Sequence, residues 1–196
     1  LRGRKGMSLR DARRAMRTDP FRFAAMMVRR GDAEALVGGV ENHYATLLRP
    51  SLQIIDHRRV FGMHMLFVGD RIYFLGDTTV NIDPTAEEMA GMAVEAEALV
   101  RDLGLDPRIA LLSFSNFGAS RSPRAAKVRE AVAMLHEQHP EMAVEGEMQA
   151  DAAVEPELLD QLFPAPRIQG GANVLLFPDL DAGNAAYKLL AHLGRA

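Results

Sequence analysis

The second half of this chain alternates between two hydrophobic patterns. From Thr85 to Leu103 apolar residues recur at helical spacing, and Gly104 then ends the pattern. Nearly uninterrupted apolar runs at 109–114 and 174–177 predict buried strands. Helices that alternate with buried strands need crossover connections. The pattern therefore predicts an α/β fold with a mixed, mostly parallel sheet that is covered on both faces.

Shorter signals give the other elements of this half. Apolar runs at 64–68 and 71–75, joined by Gly69-Asp70, predict a β-hairpin. Thr85 and Glu88 have the spacing of a capping box at a helix start. The remaining predicted elements are a helix from Ser122-Pro123 to His139-Pro140, a short strand at 142–144 and a helix at about 151–162.

The first 48 residues are organised differently. Their predicted elements are a helix from Ser8 to Arg17, a helix from Pro20 to Gly31 and a short strand at 35–40. We predict that residues 1–48 are part of a first lobe and that residues 49–196 form a second α/β lobe. Because the chain begins with Leu1 rather than Met, we expect segments outside it to complete the first lobe.

Composition excludes several kinds of site. The chain has no cysteine, so it has no disulfide framework, thiolate metal site or cysteine nucleophile. Its six histidines are scattered, and no metal site is predicted. No apolar run approaches the roughly 18 residues that a membrane span needs. We expect a cytoplasmic protein with no membrane partner.

The net charge of −3 conceals a basic N-terminal region. Residues 1–30 contain ten lysines and arginines against two aspartates. Their arginines are interleaved with Phe21, Phe23 and Met26 at helical spacing, which predicts a basic helical face over an apolar one. The rest of the chain lacks the interleaved aromatic and basic residues that stack on bases. We therefore expect a small anionic ligand or an acidic neighbouring domain, and no nucleic acid.

A polar turn after the strand at 174–177 holds candidate binding residues. Asp181 leads into Gly183, which lets a ligand or a second backbone approach closely. Asn184 and Lys188 are four residues apart and so share a helix face. In open α/β sheets ligands bind at the carboxyl ends of strands. An ordinary turn with an aspartate N-cap explains the same spacing equally well.

A second polar turn follows the strand at 109–114. Hydroxyls, backbone N–H groups and a cation precede a helix N-terminus there, a combination that favours phosphate. The candidate residues are Ser115, Asn116, Gly118, Ser120 and Arg121. A polar loop with a serine cap is the alternative.

Two further polar clusters are open to a structural explanation. The carboxylates Glu145, Glu147 and Asp151 could act as acid and base or hold Mg²⁺. More often such a cluster caps helices and pairs with nearby arginines. Residues 77–81 either line a cleft or form an Asx-type turn before Pro84. The serines have no His–Asp partners that can be placed, so no catalytic residue is assigned.

Several segments resemble the phosphate acetyl/butyryl transferase family. The most specific is Asn-Val-Leu-Leu-Phe-Pro-Asp-Leu-Asp-Ala-Gly-Asn-Ala-Ala-Tyr-Lys at 173–188. Further matches, in the family's order, are at 31–34, 38–39, 77–81, 83–84, 111–118 and 146–153. The Ser-Asn-Phe-Gly and Gly-Glu-Met forms are most similar to the branch fused to the C-terminus of bacterial NADP-dependent malic enzymes.

This resemblance implies a fold and a function. The fold is a three-layer αβα, two-lobed arrangement like that of phosphotransacetylases and of isocitrate and isopropylmalate dehydrogenases. The function is that of a regulatory domain, at least dimeric, that binds acetyl-CoA or CoA as an allosteric effector. The malic enzyme catalytic domain of the same polypeptide would decarboxylate malate to pyruvate with NADP and Mg or Mn.

Two other functions remain open from the sequence. An active phosphate acetyltransferase would convert acetyl phosphate and CoA to acetyl-CoA and phosphate, and a scaffold would only dimerise. The family places much of its chemistry in a Ser-Arg-Gly motif and a following Asp, which would lie beyond Ala196. The resemblance therefore implies that this segment is not catalytic by itself.

Overall fold

A computed structural model of the chain describes residues 6–57, 59–163 and 165–194. The chain divides into two compact units, residues 1–58 and 59–196. The described part of the first unit contains three helices, α1 (Leu9–Thr18), α2 (Pro20–Arg30) and α3 (Tyr44–Ile54). The division falls after residue 58, whereas the predicted boundary, after residue 48, lies inside α3.

The predicted helices α1 and α2 are confirmed, as are the predicted cap at Ser8 and the predicted end of α2 at Gly31. The Ser8 hydroxyl accepts a hydrogen bond from the backbone N–H of Asp11 at the start of α1. Asp19 caps α2, and Pro20 fills its first position. Gly31 ends α2 with a φ of 77°, in the left-handed region that glycine adopts without strain.

The strand predicted at 35–40 is wrong. This segment has no regular structure, and Val37 and Val40 are fully exposed. The described elements of the first unit include no strand that could pair with it. An apolar run forms a strand only where a neighbour completes its backbone hydrogen bonds.

The second unit is built on a five-stranded sheet. Its elements are β1 (Met63–Val68), β2 (Arg71–Gly76), α4 (Ala86–Asp102), β3 (Ile109–Leu112), α5 (Pro123–Gln138), β4 (Val144–Met148), α6 (Ala150–Val154), α7 (Pro156–Leu162), β5 (Val174–Leu176) and α8 (Leu180–Leu193). The strand order is β1-β2-β5-β3-β4. The β1–β2 pair is antiparallel and the other pairs are parallel, so the mixed, mostly parallel sheet is confirmed.

Helices cover both faces of this sheet. Ile109 and Leu111 of β3 pack into a core with α4 and α5. Ala110 and Leu112, which alternate with them, pack into a second core with α6, α7 and α8. The predicted three-layer αβα arrangement is therefore confirmed for this unit.

Local sequence signals set the ends of the hairpin and of α4. Gly69 adopts a φ of 57° in the turn between β1 and β2. Thr85 and Glu88 form the predicted capping box, in which each side chain accepts a hydrogen bond from the other residue's backbone N–H. Gly104, with a φ of 76°, follows the end of α4.

Three predicted boundaries differ from the structure. β3 ends at Leu112, and Phe114 beyond it is exposed. β4 spans Val144–Met148 rather than 142–144, because its two glutamates are buried with hydrogen-bond partners instead of leaving the sheet. The helix predicted at 151–162 is two helices, since the residue before Pro156 is disfavoured in the α conformation.

Candidate functional site

A cleft opens where two neighbouring strands of the sheet send their chains to opposite faces. β3 and β5 are adjacent and parallel. The helix after β3, α5, packs on one face, whereas the helix after β5, α8, packs on the other. Connections that diverge in this way leave a crevice beyond the carboxyl ends of the strands. Here the crevice has a volume of about 650 Å³.

The cleft lies entirely within the second unit. Its lining residues come from the segments after β2, β3 and β5 and from the first turns of α5, α6 and α8. They are Ile82, Asp83, Leu112, Ser113, Phe114, Pro123, Arg124, Lys127, Ala150, Phe177, Pro178, Asp179, Asp181 and Ala182. The apolar side chains give the cleft a largely hydrophobic wall. Its charged residues are Asp83, Arg124, Lys127, Asp179 and Asp181.

Two cations enter the cleft from the start of α5. Lys127 Nζ donates to Asp83 Oδ1 at 2.6 Å and to the Pro178 carbonyl at 2.9 Å, which joins three elements around the cleft. Arg124, one turn earlier, is exposed, and its side chain forms no hydrogen bond or salt bridge within the described part of the chain. The N-terminus of α5 lies on the same wall and adds partial positive charge.

One carboxylate of the cleft, that of Asp83, pairs with these positive groups, and the other two lie at the start of α8. The hydrogen bond from Lys127 and its charge lower the pKa of the Asp83 carboxyl. Asp179 caps α8 and accepts a hydrogen bond from the backbone N–H of Ala182 at 2.9 Å. Asp181 is exposed in the first turn of α8. The α5 wall is therefore the part of the cleft that suits an anion.

The turn that was predicted to bind phosphate is held by a buried carboxylate. Glu147 is fully buried, and its Oε1 accepts from the Ser115 hydroxyl at 3.0 Å and from the Gly118 N–H at 2.9 Å. Arg129 pairs with the same carboxylate at 3.0 Å, as predicted for this acidic cluster. The Ser120 N–H donates to the Ser115 hydroxyl. Several donors of this turn are therefore already occupied by groups of the protein.

The other candidates of this turn lie at its surface. The side-chain amide of Asn116 forms two hydrogen bonds with Gln149, through its Nδ2 to Gln149 Oε1 and its Oδ1 from the Gln149 backbone N–H. Arg121 is exposed immediately before Ser122, the N-cap of α5. It forms no hydrogen bond or ion pair with the residues that the structure describes.

The candidates of the other turn belong to α8 itself. Asn184 Nδ2 donates to the Thr78 carbonyl at 3.2 Å, and Lys188 Nζ lies 5.2 Å from the centre of the Tyr187 ring. Gly183 packs against the carbonyl of Asp77, so a second backbone makes the predicted close approach. Of the eight predicted binding residues, only Asp181 lines the cleft.

A small network connects α8 with the hairpin. The His64 and Tyr187 rings stack with centroids 3.7 Å apart. His64 Nδ1 and Thr78 Oγ1 are joined by a 2.7 Å hydrogen bond. Burial, and then the charge of Lys188, lower the pKa of His64. This network fixes α8 against the β1–β2 edge of the sheet.

The segment at 77–81 is an Asx-type turn. The Asp77 carboxylate is buried and accepts hydrogen bonds from the backbone N–H groups of Thr79, Val80 and Asn81. The same segment leads into Ile82 and Asp83, which line the cleft. Residues 77–81 therefore form the Asx-type turn and are not among the residues that line the cleft.

The two cations of the cleft, Arg124 and Lys127, are not among the residues predicted from the sequence. Arg124 and Lys127 are three residues apart in the first turns of a helix that follows a buried strand. Side chains at that spacing share a helix face. This spacing is visible in the sequence, but the binding residues were assigned to the polar turn before the helix.

Metal-binding clusters and membrane-spanning helices are both absent from the described residues. No group of three or more His, Cys, Asp or Glu side chains among them is arranged to hold a metal ion. No helix in this part of the chain is both long and apolar enough to cross a membrane.

The chain is similar in sequence to phosphate acetyltransferases and to NADP-dependent malic enzymes. The chain is 35% identical to the phosphate acetyltransferase of Bacillus subtilis over 195 residues, which are 97% of the chain and 60% of that enzyme. It is 38% identical to the NADP-dependent malic enzyme of Rhizobium meliloti over 194 residues, 97% of the chain but 25% of that enzyme. The chain thus spans between about a quarter and about three fifths of the length of these relatives.

Solved structures agree with the sequence relationship. A phosphotransacetylase from Streptococcus pyogenes superposes with a TM-score of 0.84 at 37% identity, covering 98% of this chain and 60% of that one. The sequence model of the phosphate acetyl/butaryl transferase family matches residues 1–196. The chain therefore belongs to the phosphate acetyl/butaryl transferase family.

Proposed function

We propose that the cleft of the second unit binds acetyl-CoA or CoA, and that it does so in the regulatory domain of an NADP-dependent malic enzyme. The observation that carries this proposal is the pairing of an apolar wall with Arg124 and Lys127 in one cleft. A CoA ester has the matching chemistry, since it combines phosphate groups with a long, weakly polar thioester arm. A volume of about 650 Å³ is in the usual range for small-molecule sites.

Each part of the cleft has a proposed role. Arg124 and Lys127 bind a phosphate group of the ligand, assisted by the N-terminus of α5. Arg121, next to that N-terminus, supplies a further cation at the rim, and Asp181 contacts the ligand from α8. The other six predicted residues have indirect roles. The shape of the loop that Glu147 stabilises depends on Ser115, Asn116, Gly118 and Ser120, and the position of α8 depends on Asn184 and Lys188.

Regulation follows if ligand binding favours one arrangement of the cleft walls. Lys127 joins Asp83 and Pro178, which lie on segments after different strands. An anion that competes for Lys127 weakens that connection and so has different affinities for the two arrangements. In a dimer or larger homo-oligomer this difference can reach the malic enzyme catalytic domain, which would use NADP and Mg or Mn. The malic enzyme of Rhizobium meliloti, four times as long as the matched segment, supports such a fusion.

A working phosphate acetyltransferase is the second candidate. It is favoured by similarity to the Bacillus subtilis phosphate acetyltransferase at nearly the same identity as to the malic enzyme. In that case the same cleft would bind CoA as a substrate. The polypeptide would then form acetyl-CoA and phosphate from acetyl phosphate and CoA.

One set of assays on the full-length polypeptide separates the candidates. Malate oxidation is measured with increasing acetyl-CoA, and acetyl-CoA formation is measured from acetyl phosphate and CoA. A change in malate oxidation without transferase activity supports regulation, whereas transferase activity supports the alternative. If neither activity responds and calorimetry detects no CoA ester binding, both candidates are overturned.

Variants then test the cleft itself. We expect Arg124→Gln and Lys127→Gln each to weaken acetyl-CoA binding about tenfold or more, because each removes a charge-assisted contact of about 1.5–3 kcal/mol. Arg101→Gln is the matched control, since Arg101 is an exposed cation near the end of α4, where it pairs with Glu97. Unchanged affinity in both cleft variants would contradict this location for the site.

A further inference from the structure

One face of α1 is lined with arginines. Positions i, i+3, i+4 and i+7 of a helix lie together on its surface, so arginines at that spacing form a single stripe. In α1 this arginine stripe consists of Arg10, Arg13, Arg14 and Arg17. All four residues are exposed. The partly buried residues of the helix lie on its opposite side and are Ala12, Ala15 and Met16.

Most of the arginine stripe has no partner within the described part of the chain. Arg14 pairs with Asp11 at 3.9 Å, and both side chains of this pair are largely exposed. The side chains of the other three arginines form no ion pair or hydrogen bond with the residues that the structure describes. Like charges three or four residues apart destabilise a helix. Little packing offsets this repulsion, because no residue of α1 is buried. A partner that neutralises the stripe would therefore stabilise α1.

The geometry of the stripe matches an acidic helix. Guanidinium groups form paired hydrogen bonds with carboxylates. Successive arginines of the stripe are up to four residues apart, or at most about 6 Å along the helix axis, and aspartates or glutamates at the same spacing on a second helix would match them. Leu9 is 69% exposed and lines the same surface hollow as the four arginines. It offers an apolar contact that a protein partner can use.

The charge distribution of the chain disfavours a nucleic acid at this surface. Residues 1–58 contain twelve lysines and arginines against six aspartates and glutamates, whereas residues 59–196 contain eleven against twenty. A long phosphate polymer extends beyond the stripe and is repelled by the excess negative charge of the second unit. A short acidic segment places its charge only opposite the stripe. In addition, α1 has no aromatic side chain on which a base could stack.

We propose that the arginine stripe of α1 is a docking surface for an acidic helix of a partner protein, with carboxylates at positions i, i+3, i+4 and i+7. The docking surface lies in the first unit, whereas the cleft lies in the second. Ion pairs between exposed groups are screened by salt, so the association weakens as the ionic strength rises.

A labelled peptide tests this surface on the full-length polypeptide. The probe is an alanine-rich helical peptide with fluorescein and with glutamate at the four positions, and its control has glutamine there. At low ionic strength we expect the glutamate peptide to bind and the double variant Arg13→Gln with Arg17→Gln to weaken binding about threefold to thirtyfold, because exposed ion pairs contribute modestly. The matched control is Arg30→Gln with Arg101→Gln, which removes the same charge from arginines already paired with Asp32 and Glu97. Its affinity should stay close to that of the unsubstituted protein.

A charge-preserving variant provides an independent measurement. Arg17→Lys keeps the positive charge and supplies an amine, which a carbodiimide joins to a carboxylate in contact with it. We expect an amide with the glutamate peptide and none with the glutamine peptide. The proposal is overturned by equal peptide affinities of the two double variants, by coupling only within the polypeptide itself, or by tighter binding of a short DNA duplex at the same arginines. None of these results depends on whether the cleft binds acetyl-CoA.

Discussion

At the scale of single residues, His64 connects protonation with folding. Its ring stacks on Tyr187, is hydrogen-bonded to Thr78 and lies near the Lys188 ammonium. Burial and that positive charge both disfavour the imidazolium, so the pKa of His64 in the folded chain is below the ordinary value of 6.5. Near pH 6.5 and somewhat below it, His64 therefore binds a proton more readily in the unfolded chain than in the folded chain.

The free energy of unfolding therefore decreases as the pH falls below 6.5. The neutral form of His64 is present in both states above pH 6.5, and there its contribution to stability is complete. As the pH falls from 6.5 through the lower pKa of the folded chain, protonation favours unfolding and this contribution is lost. The free energy of unfolding, measured with urea, should be lower at pH 5.5 than at pH 7.5. We expect this loss to be smaller in His64→Gln. His192→Gln, an exposed position of α8, should leave the loss unchanged.

Glu147 illustrates what sequence reasoning could resolve at single residues. Its presence among acidic residues predicted a partner such as arginine, and Arg129 is that partner. The sequence could not show that the carboxylate also binds the Ser115 hydroxyl and the Gly118 N–H, since these residues are some thirty positions away. A buried carboxylate needs several donors, but which donors satisfy it depends on the tertiary structure.

At the scale of elements, two helical glycines differ in what surrounds them. Alanine normally stabilises a helix interior by up to about 1 kcal/mol relative to glycine. A Cβ at Gly183 in α8 would clash with the backbone carbonyl of Asp77, which cannot move without disturbing the turn at 77–81. For a Cβ at Gly91 in α4, the three nearest atoms belong to the end of the Arg59 side chain, which is flexible and can move away.

We therefore expect opposite outcomes from the same substitution. Gly183→Ala should lower the free energy of unfolding, by roughly 1–3 kcal/mol as for other overpacked sites, and Gly91→Ala should leave it unchanged or raise it. Urea unfolding of the two variants provides the measurement. Equal effects at both positions would mean that α8 is not held against the 77–81 turn as the structure describes.

Elements were predictable where the signal was local. The capping box at Thr85 and Glu88 gave the start of α4, and Gly31 gave the end of α2, because caps act within one helical turn. The segment at 35–40 was misassigned because strand formation needs a partner that local sequence does not reveal. The extent of β4 depended likewise on distant partners of its glutamates.

At the scale of the whole molecule, topology determines where the cleft lies. Candidate residues were predicted after the strands at 109–114 and 174–177, but the strand order was needed to show that the ends of these two strands are neighbours. Since β5 inserts between β2 and β3, the ends of β3 and β5 become neighbours although about sixty residues separate them in sequence. This is why the cations at the start of α5 and the carboxylates at the start of α8 share one cleft.

The cleft is built on the central strands, so occupying it should stabilise them. A ligand that binds only the folded unit slows hydrogen exchange through unfolding by a factor of about one plus its concentration divided by its Kd. At acetyl-CoA concentrations of 100 times Kd, we expect exchange of the β3 and β5 amides to slow about a hundredfold, equivalent to about 2.7 kcal/mol. At that same concentration the protection should fall from about a hundredfold to about tenfold in Lys127→Gln, whose Kd we expect to be about tenfold higher, whereas Arg101→Gln should keep it. Equal protection in both variants would mean that acetyl-CoA stabilises the unit without using the α5 wall.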